Sequence, residues 1–393
     1  MMRENSNVNF KSWICGIIIF SFLLMTGCWD RIEANDLALI VAGAFDKAPE
    51  RKVQVTVQVM LPSSGGPGSG GPSQPKTKFF VETATGIDSE DAAEQIQKKV
   101  SRRLFRGQRR VVLIGEEMAK SGVGEILDYI SREPENRLHT NVLVVKGGTG
   151  YNLLKVEYPL ERFPAEAMRK MINTGLGEEV TIRDFLIKAS SEGVQPIAAA
   201  IESGNGQDSL KLTGLAVFKD LKLAGYLNAE ETVVYQWATG KFKQGIFTTK
   251  VPGNEGTVDI DVKNASAKLT PEIMDNKVKI YVKIKGIGAI YGNSTKLDLT
   301  EPENIALIQK AFETEIANRV QKLIKAVQKK YDADIFGFGS TVYGHNPREW
   351  EELKGNWDKV FSDTQVSVSV DLNIRMTGMS GPSLYLKENE VKK

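Results

Sequence analysis

Cys28 carries the clearest chemistry in this chain, closing the string Leu24-Met25-Thr26-Gly27-Cys28. A thiolate is the common side-chain nucleophile that readily forms a thioether to a diacylglyceryl group. Small Thr26 and Gly27 suit the narrow cleft of a peptidase that cuts directly before the Cys. Upstream, Arg3 and Lys11 flank the start of an apolar run from Trp13 to Met25. That run falls short of the ~20 residues a helix needs to cross a hydrocarbon layer. A charged start, a short apolar core and small residues at the cut describe a secretory signal. Residues 1–27 are therefore expected to form a cleaved lipoprotein signal peptide, with Cys28 S-diacylglycerylated and available for N-acylation, as by palmitate. The alternative is an uncleaved anchor, or an ordinary signal peptide with a chance Cys. The chain holds two Cys, and Cys15 leaves with the signal. In an exported protein, a lone Cys at the first mature position is better explained by lipidation than by a free thiol. A diacyl group supplies the two chains that stable anchoring needs, at ~0.8 kcal/mol per buried methylene. No cofactor beyond this covalent lipid is expected.

Other chemical constellations are weak. His139 and His345 lie in different halves, without metal-ligand neighbours at useful spacing. With no Cys after position 28, a Cys/His nucleophile pair is excluded, and no GxSxG motif is present. Asp259 and Asp261 share one face of a strand. Paired carboxylates can do acid–base work, but alternation in a half-exposed strand explains them more simply. Gly286-Ile-Gly288-Ala-Ile-Tyr-Gly292 ends a strand with no helix after it, unlike the dinucleotide fingerprint. Pro62 to Pro75 is rich in Gly, Pro and Ser, but no GK[ST] follows, so it reads as a flexible loop. The sequence reads as non-enzymatic. A net charge of +2 gives no basis for nucleic-acid binding.

The elements around these residues point to a mixed α/β or α+β protein of two to three domains. Removing 27 of 393 residues leaves 366, more than one typical core. Residues 28–205 read as an N-terminal α/β region with strands near 37–45, 53–59, 111–114 and 141–145, the second alternating Val53, Val55, Val57 and Val59 with Gln54, Thr56 and Gln58 as a half-buried strand does. Between the second and third of these, Asp88 or Ser89 is expected to cap a helix. Its stripe is Ala92, Ile96, Val100 and Leu104, and a basic end runs to Arg110. That basic run reads either as a solvated, dipole-matching face or as a contact for anionic headgroups. Gly204-Asn-Gly206 marks the boundary. Residues 206–393 read as an α+β domain, with a hairpin around Asp220 and strands at 258–262, 278–284 and 366–376. A long helix at about 301–330 is capped by Thr300 and Glu303 and lies over a largely antiparallel sheet.

Two segments resemble a known family. Gly27-Cys28-Trp29-Asp30-Arg31-Ile32-Glu33-Ala34-Asn35-Asp36-Leu37-Ala38 resembles the start of the Ger(x)C spore germination lipoproteins, the C subunits of nutrient germinant receptors. Asp334-Ile335-Phe336-Gly337-Phe338-Gly339, followed by His345, Pro347 and Trp350, resembles that family's C-terminal domain. Length and element order agree over nearly the whole chain. Ala34, where Ile or Leu is more frequent, and the Gly/Pro-rich 62–75 loop depart from the pattern.

The resemblance implies about three mixed α/β domains and a non-catalytic role in germination. It also implies assembly with two multi-pass membrane subunits. The place implied is the outer face of the cell membrane and, in spores, the inner spore membrane, held by lipid. Trp29, Asp30, Glu33, Asn35 and Asp36 beside the anchor are candidate partner or membrane contacts, or else pack on the first domain. Phe336 and Phe338 are candidates for an exposed docking patch, or else pack in the core of a glycine turn. A substrate-binding lipoprotein of an ABC importer is the alternative function.

Overall fold

Four apolar runs decide where the first sheet sits: Leu37–Phe45, Val111–Ile114, Val142–Val145 and Ile197–Ile201. Strands apolar on both faces must be covered on both faces, and these are. The computed structural model describes residues 13, 14, 16, 33–61, 79–174, 177–204, 209–275 and 277–376. Most of the expected signal peptide, the lipobox, Cys28, Trp29, Asp30 and the 62–75 loop lie outside them.

The chain opens with β1 (Leu37–Lys47), β2 (Val53–Met60) and β3 (Phe79–Gly86), which pair antiparallel in sequence order. Then come α1 (Ser89–Gln97), β4 (Arg103–Phe105), β5 (Val111–Gly115), α2 (Glu116–Ser121), α3 (Gly124–Arg132) and β6 (Asn141–Val145). After α4 (Gly150–Leu154), α5 (Pro164–Asn173) and α6 (Ile182–Ser190), the chain forms β7 (Ile197–Ser203) and the hairpin β8 (Leu210–Lys219) and β9 (Lys222–Asn228). Sheet order is β3-β2-β1-β5-β6-β7-β8-β9, with β4 paired to β1. β1, β5, β6 and β7 run parallel in the middle, and antiparallel pairs extend both sides. α4 and α5 cover one face through Leu154, Ala165, Met168 and Ile172. α1, α2, α3 and α6 cover the other through Ile96, Ala119, Ile126 and Phe185.

Two local expectations meet a different outcome here. α1 stops at Gln97 rather than carrying its stripe to Leu104. The Gln97 side chain accepts from Leu104 N at 2.9 Å and donates to Val100 O and Arg102 O. It thereby stabilises a reversal that frees Arg103–Phe105 to pair with Leu37–Leu39. β2 is buried on both faces, not one. Gln58 donates to Leu154 O at 2.7 Å and accepts from Ala165 N at 3.4 Å, so its polar face is satisfied beneath α4 and α5.

The sheet runs across the boundary expected at 205/206, because β7 and β8 pair over Ile197–Ser203 and Leu210–Val217. α7 (Ala229–Thr239) then leaves it. Its capping box joins Asn228 to Glu231, and left-handed Gly240 ends it. The second sheet holds β10 (Gln244–Thr249), β11 (Val258–Met274) and β12 (Lys277–Asn293). After the 29-residue α8 (Pro302–Lys330) come α9 (Phe338–His345), α10 (Pro347–Leu353), α11 (Trp357–Asp363) and finally β13 (Gln365–Met376). Sheet order is β10-β11-β12-β13, antiparallel except for the last pair, which is parallel. Gly286 and Gly288 face inward, beside Leu372 and Trp237 and against Ile260. They make room for core side chains.

Ile308, Phe312, Ile316, Val320, Leu323 and Val327 of α8 enter the core as the apolar stripe requires. The expected capping box is not formed. The N-cap is Glu301, and Thr300 Oγ1 instead donates to Asp298 Oδ1 at 2.7 Å. Glu313 Oε1 accepts from Leu372 N at 3.1 Å, and Gln321 donates to Val366 O at 3.3 Å. These side chains satisfy part of the open edge of β13, the standing liability of an edge strand.

Asp46, 1% exposed at the end of β1, anchors the start of α4 by accepting from Gly150 N at 2.8 Å and Tyr151 N at 2.9 Å. Burial raises its pKa against those two donors. In Asp46→Asn an amide NH2 must face one of those N–H groups, so urea unfolding should show a loss of about 1–3 kcal/mol. Unchanged stability would show that the two bonds carry no net weight.

Candidate functional site

The seam between the two sheets is built around one acidic residue. α8 ends at Lys330, and the chain turns through Asp332, at φ 47°, into Asp334-Ile335-Phe336-Gly337-Phe338-Gly339. Asp334 is 2% exposed. Its Oδ1 accepts from Phe336 N at 3.1 Å and Gly337 N at 2.8 Å. Oδ2 accepts from Gly339 N at 2.8 Å and Trp357 Nε1 at 3.2 Å. Asp thus bonds amides a few residues on, the local habit of this side chain near helix starts. An ionised carboxylate has about four acceptor positions, and here four donors fill them. Burial outweighs these donors and pushes the Asp334 pKa up to about 6.

The partner across the seam is the 191–196 segment that leads into β7. Gln195 N donates to Asp334 O at 2.7 Å. Trp350 Nε1 donates to Glu192 Oε2 at 2.9 Å, and Ser340 Oγ donates to Glu192 O at 3.2 Å. Gly193 and Gly339 meet back to back. A Cβ on Gly193 would lie 2.7 Å from Gly339 Cα and 2.5 Å from the Trp350 ring, and Gly193 also has φ 69°. On the inner side Tyr235 donates to Ile335 O at 3.4 Å, with Lys188 Nζ 3.4 Å from the Tyr235 hydroxyl. Burial lowers the Lys188 pKa. Lys219 bridges Asp332 at 2.6 Å and Asp358 at 3.2 Å at the rim. A cleft of about 420 Å³ opens here between Glu192, Gly193, Asp334, Trp350, Lys354 and Trp357. The chemistry this arrangement supports is fastening, since the lone pairs of Asp334 are engaged within the protein.

Of the two readings of Phe336 and Phe338, the structure has core packing in the glycine turn and not an exposed docking patch. They are 7% and 1% exposed and stack with centroids 5.4 Å apart. Phe336 also meets Tyr235, and Phe338 meets Phe361. Gly337, at φ 79°, caps the start of α9, and Gly339 permits the approach of Gly193. Glu33, Asn35 and Asp36 are exposed on a short 3-10 turn just before β1, open to a partner. Cys28, Trp29 and Asp30 lie outside the described residues.

The basic segment 98–110 is largely neutralised. Arg103 pairs with Glu135 at 2.6 Å, Arg106 with Glu133 at 3.3 Å, Arg110 with Glu166 at 3.4 Å and Lys99 with Glu82 at 3.1 Å. Buried Arg109 donates to Asn136 at 2.9 Å, and burial lowers its pKa to about 10. Asp259 accepts from Thr248, while Asp261 lies 3.7 Å from Lys263, so each carboxylate of that pair has its own neighbour. Among the described residues, no group of three or more His, Cys, Asp or Glu is placed to hold a metal. Sequence reasoning did not single out Glu192, Gly193 or Trp357. Their weak signals are a lone Gly between Glu192 and Val194 and a second Trp shortly after Trp350.

Comparison with known proteins places both halves in one context. Residues 30–203 match the family model described as spore germination protein N-terminal domain. Residues 213–378 match the spore germination B3/GerAC-like C-terminal model. The chain is 28% identical over 372 residues to the putative spore germination protein YfkR of Bacillus subtilis, covering 93% of this chain and 96% of that one. It is 26% identical over 393 residues to spore germination protein KC of the same species, covering 94% and 96%. The crystal structure of the GerBC protein superposes with a TM-score of 0.57 at 21% identity, over 84% of this chain and 96% of that one, and shares its fold.

The seam makes two predictions. Asp in an unfolded chain ionises near 3.9, so between about pH 4 and 6 the folded state binds more protons at Asp334. The stability this group contributes is present below about pH 4 and is lost as pH rises through about 6. Asp334→Asn should remove that slope. At pH 7 it should also cost about 2 kcal/mol, by facing NH2 against the Gly339 or Trp357 donors. Urea titrations at pH 5 and 7 check both, and an unchanged slope would contradict the assignment. Second, Gly193→Ala should lose about 2–4 kcal/mol by combining a left-handed backbone with overlap. Gly344→Ala, with open space around its Cβ in α9, should be neutral or slightly stabilising in the same thermal melts.

Proposed function

From the premise that this chain belongs to the GerAC-like spore germination family, we propose that it is a lipid-anchored, non-enzymatic subunit of a nutrient germinant receptor. The observation that carries this reading is the pairing of family matches over 30–203 and 213–378 with the Leu24–Cys28 lipobox just upstream. A diacylglyceryl thioether at Cys28 holds the body on the outer face of the membrane, which in the spore is the inner membrane. Among the described residues, no helix is long and apolar enough to cross a membrane, so attachment falls to the N-terminus. Two multi-pass membrane subunits are the partners. Exposed Glu33, Asn35 and Asp36 stand where the chain leaves the bilayer to enter β1, and they offer those partners acceptors and charge. The engaged acceptors of Asp334 and the separate neighbours of Asp259 and Asp261 agree with a non-catalytic role. The two sheets differ in strand number and order, which counts against the paired similar lobes of an importer's binding protein.

Cys28→Ala tests the proposal. The variant should lack the lipid mass at its N-terminus, leave the membrane fraction and abolish the nutrient response of its spores. Normal germination to the same nutrient from spores carrying it would remove the basis of the anchor reading.

A further inference from the structure

The outer face of the second sheet is left open. α8 and α7 cover the inner face through Phe312, Ile316, Val320 and Trp237. On the outer face strand alternation lines up Lys277, Lys279, Lys283 and Lys285 of β12, with Lys268 of β11 beside them. Register places Lys268 directly opposite Lys283, with neutral Ser369 on the far side. Like charges directly opposite on adjacent strands are destabilising, and carboxylates do little to relieve them here. Two acids stand on this face: Asp371, opposite Lys285 and 3.9 Å from it, and Glu272, opposite Lys279 and accepting from the Tyr281 hydroxyl at 2.7 Å; neither is opposite Lys268, Lys277 or Lys283. Lys279 lies over the Tyr281 ring at 4.6 Å. Among the described residues Lys268, Lys277 and Lys283 have no ion-pair partner within 4.0 Å. The 98–110 segment contrasts with this, because acids across the fold neutralise it.

We infer that this open lysine face of β11, β12 and β13 is a docking surface for an anionic phospholipid membrane. Charge complementarity names the sign of the occupant, and residue type names its class. The five cations that the register sets on this face of β11 and β12 are all lysines, compact point charges on flexible stems. Lys is depleted at protein–protein interfaces, where Arg is enriched. A headgroup layer needs no fixed geometry and attracts such charges additively. Exposed Met274 and Tyr291 flank the patch along β11 and β12, and amphipathic or apolar groups of this kind settle at a headgroup boundary. The face acts in addition to any lipid on Cys28. It turns a tethered body so that this sheet lies against the bilayer.

The test is lysine footprinting of the full chain on vesicles of phosphatidylcholine, with and without phosphatidylglycerol. On anionic vesicles, amine acylation of Lys268, Lys277, Lys283 and Lys285 should slow about fivefold or more. Ion-paired Lys120 and Lys170 on other faces should keep their rates. The protection should vanish near 1 M salt, where the screening length is ~3 Å. Lys268→Gln/Lys283→Gln, which removes only exposed charge, should melt no lower than the parent and should weaken protection of Lys277 and Lys285. Equal labelling on both vesicle types overturns the inference. So does protection that appears only when partner subunits are added, since the occupant would then be an acidic protein. The readout is a difference between two membranes, so it stands whether or not Cys28 carries lipid.

Discussion

One buried carboxylate holds the two sheets in register. Leaving a buried polar group short of one hydrogen-bond partner costs about 1–3 kcal/mol, so the donors around Asp334 cannot drift apart independently. Two of them, Phe336 N and Gly337 N, lie just before α9, one follows in its first turn, and the fourth is the indole of Trp357 at the start of α11. The same residue's carbonyl takes Gln195 N from the other half of the chain. The close contact of Gly193 with Gly339 follows, because no side chain fits once these bonds draw the backbones together. The aromatic packing beneath, from Tyr235 through Phe336 and Phe338 to Phe361, fills the space the bonds define.

Periodic segments were legible in the sequence. The stripe of α8, the alternation at the heart of β11 and β12, the Asp220 turn and the short buried strands follow from patterns of two and 3.6 residues. What resisted reading was decided by side-chain partners that no periodic pattern marks. Gln97 ends α1 with bonds to residues further along the chain. Gln58 makes a polar face of β2 buried by reaching Leu154 and Ala165. The outer half of β11 contains Pro271, which argues locally against a strand. It is tolerated because β10 covers only Val258 to Lys263 and leaves that stretch as an edge. The phenylalanines of the glycine turn were ambiguous for the same reason, since local sequence does not say which way such a turn faces.

The seam also explains why the chain does not divide cleanly at residues 205 and 206. β8 and β9 belong to the first sheet, and α7 leaves them to place Trp237 against Phe242 and Phe247 beneath the second. A single hydrophobic cluster runs from α1 through α8. The two family matches describe the chain's halves, but the interior they share is continuous. A displacement sensed at one sheet would therefore reach the other through packed side chains rather than a flexible linker.

The parallel pairing of β12 with β13 has a kinetic consequence. β12 ends at Asn293 and its neighbour begins at Gln365, so four helices form between two strands that must meet. Such pairings have high contact order, and loop closure precedes the reward of contact. The hairpin of β11 and β12 can zip locally while the sheet waits for its last member. A nascent chain that had not yet released Gln365 would present β12 as a bare ladder of amides and carbonyls. Completion of this half waits on the arrival of Gln365–Met376.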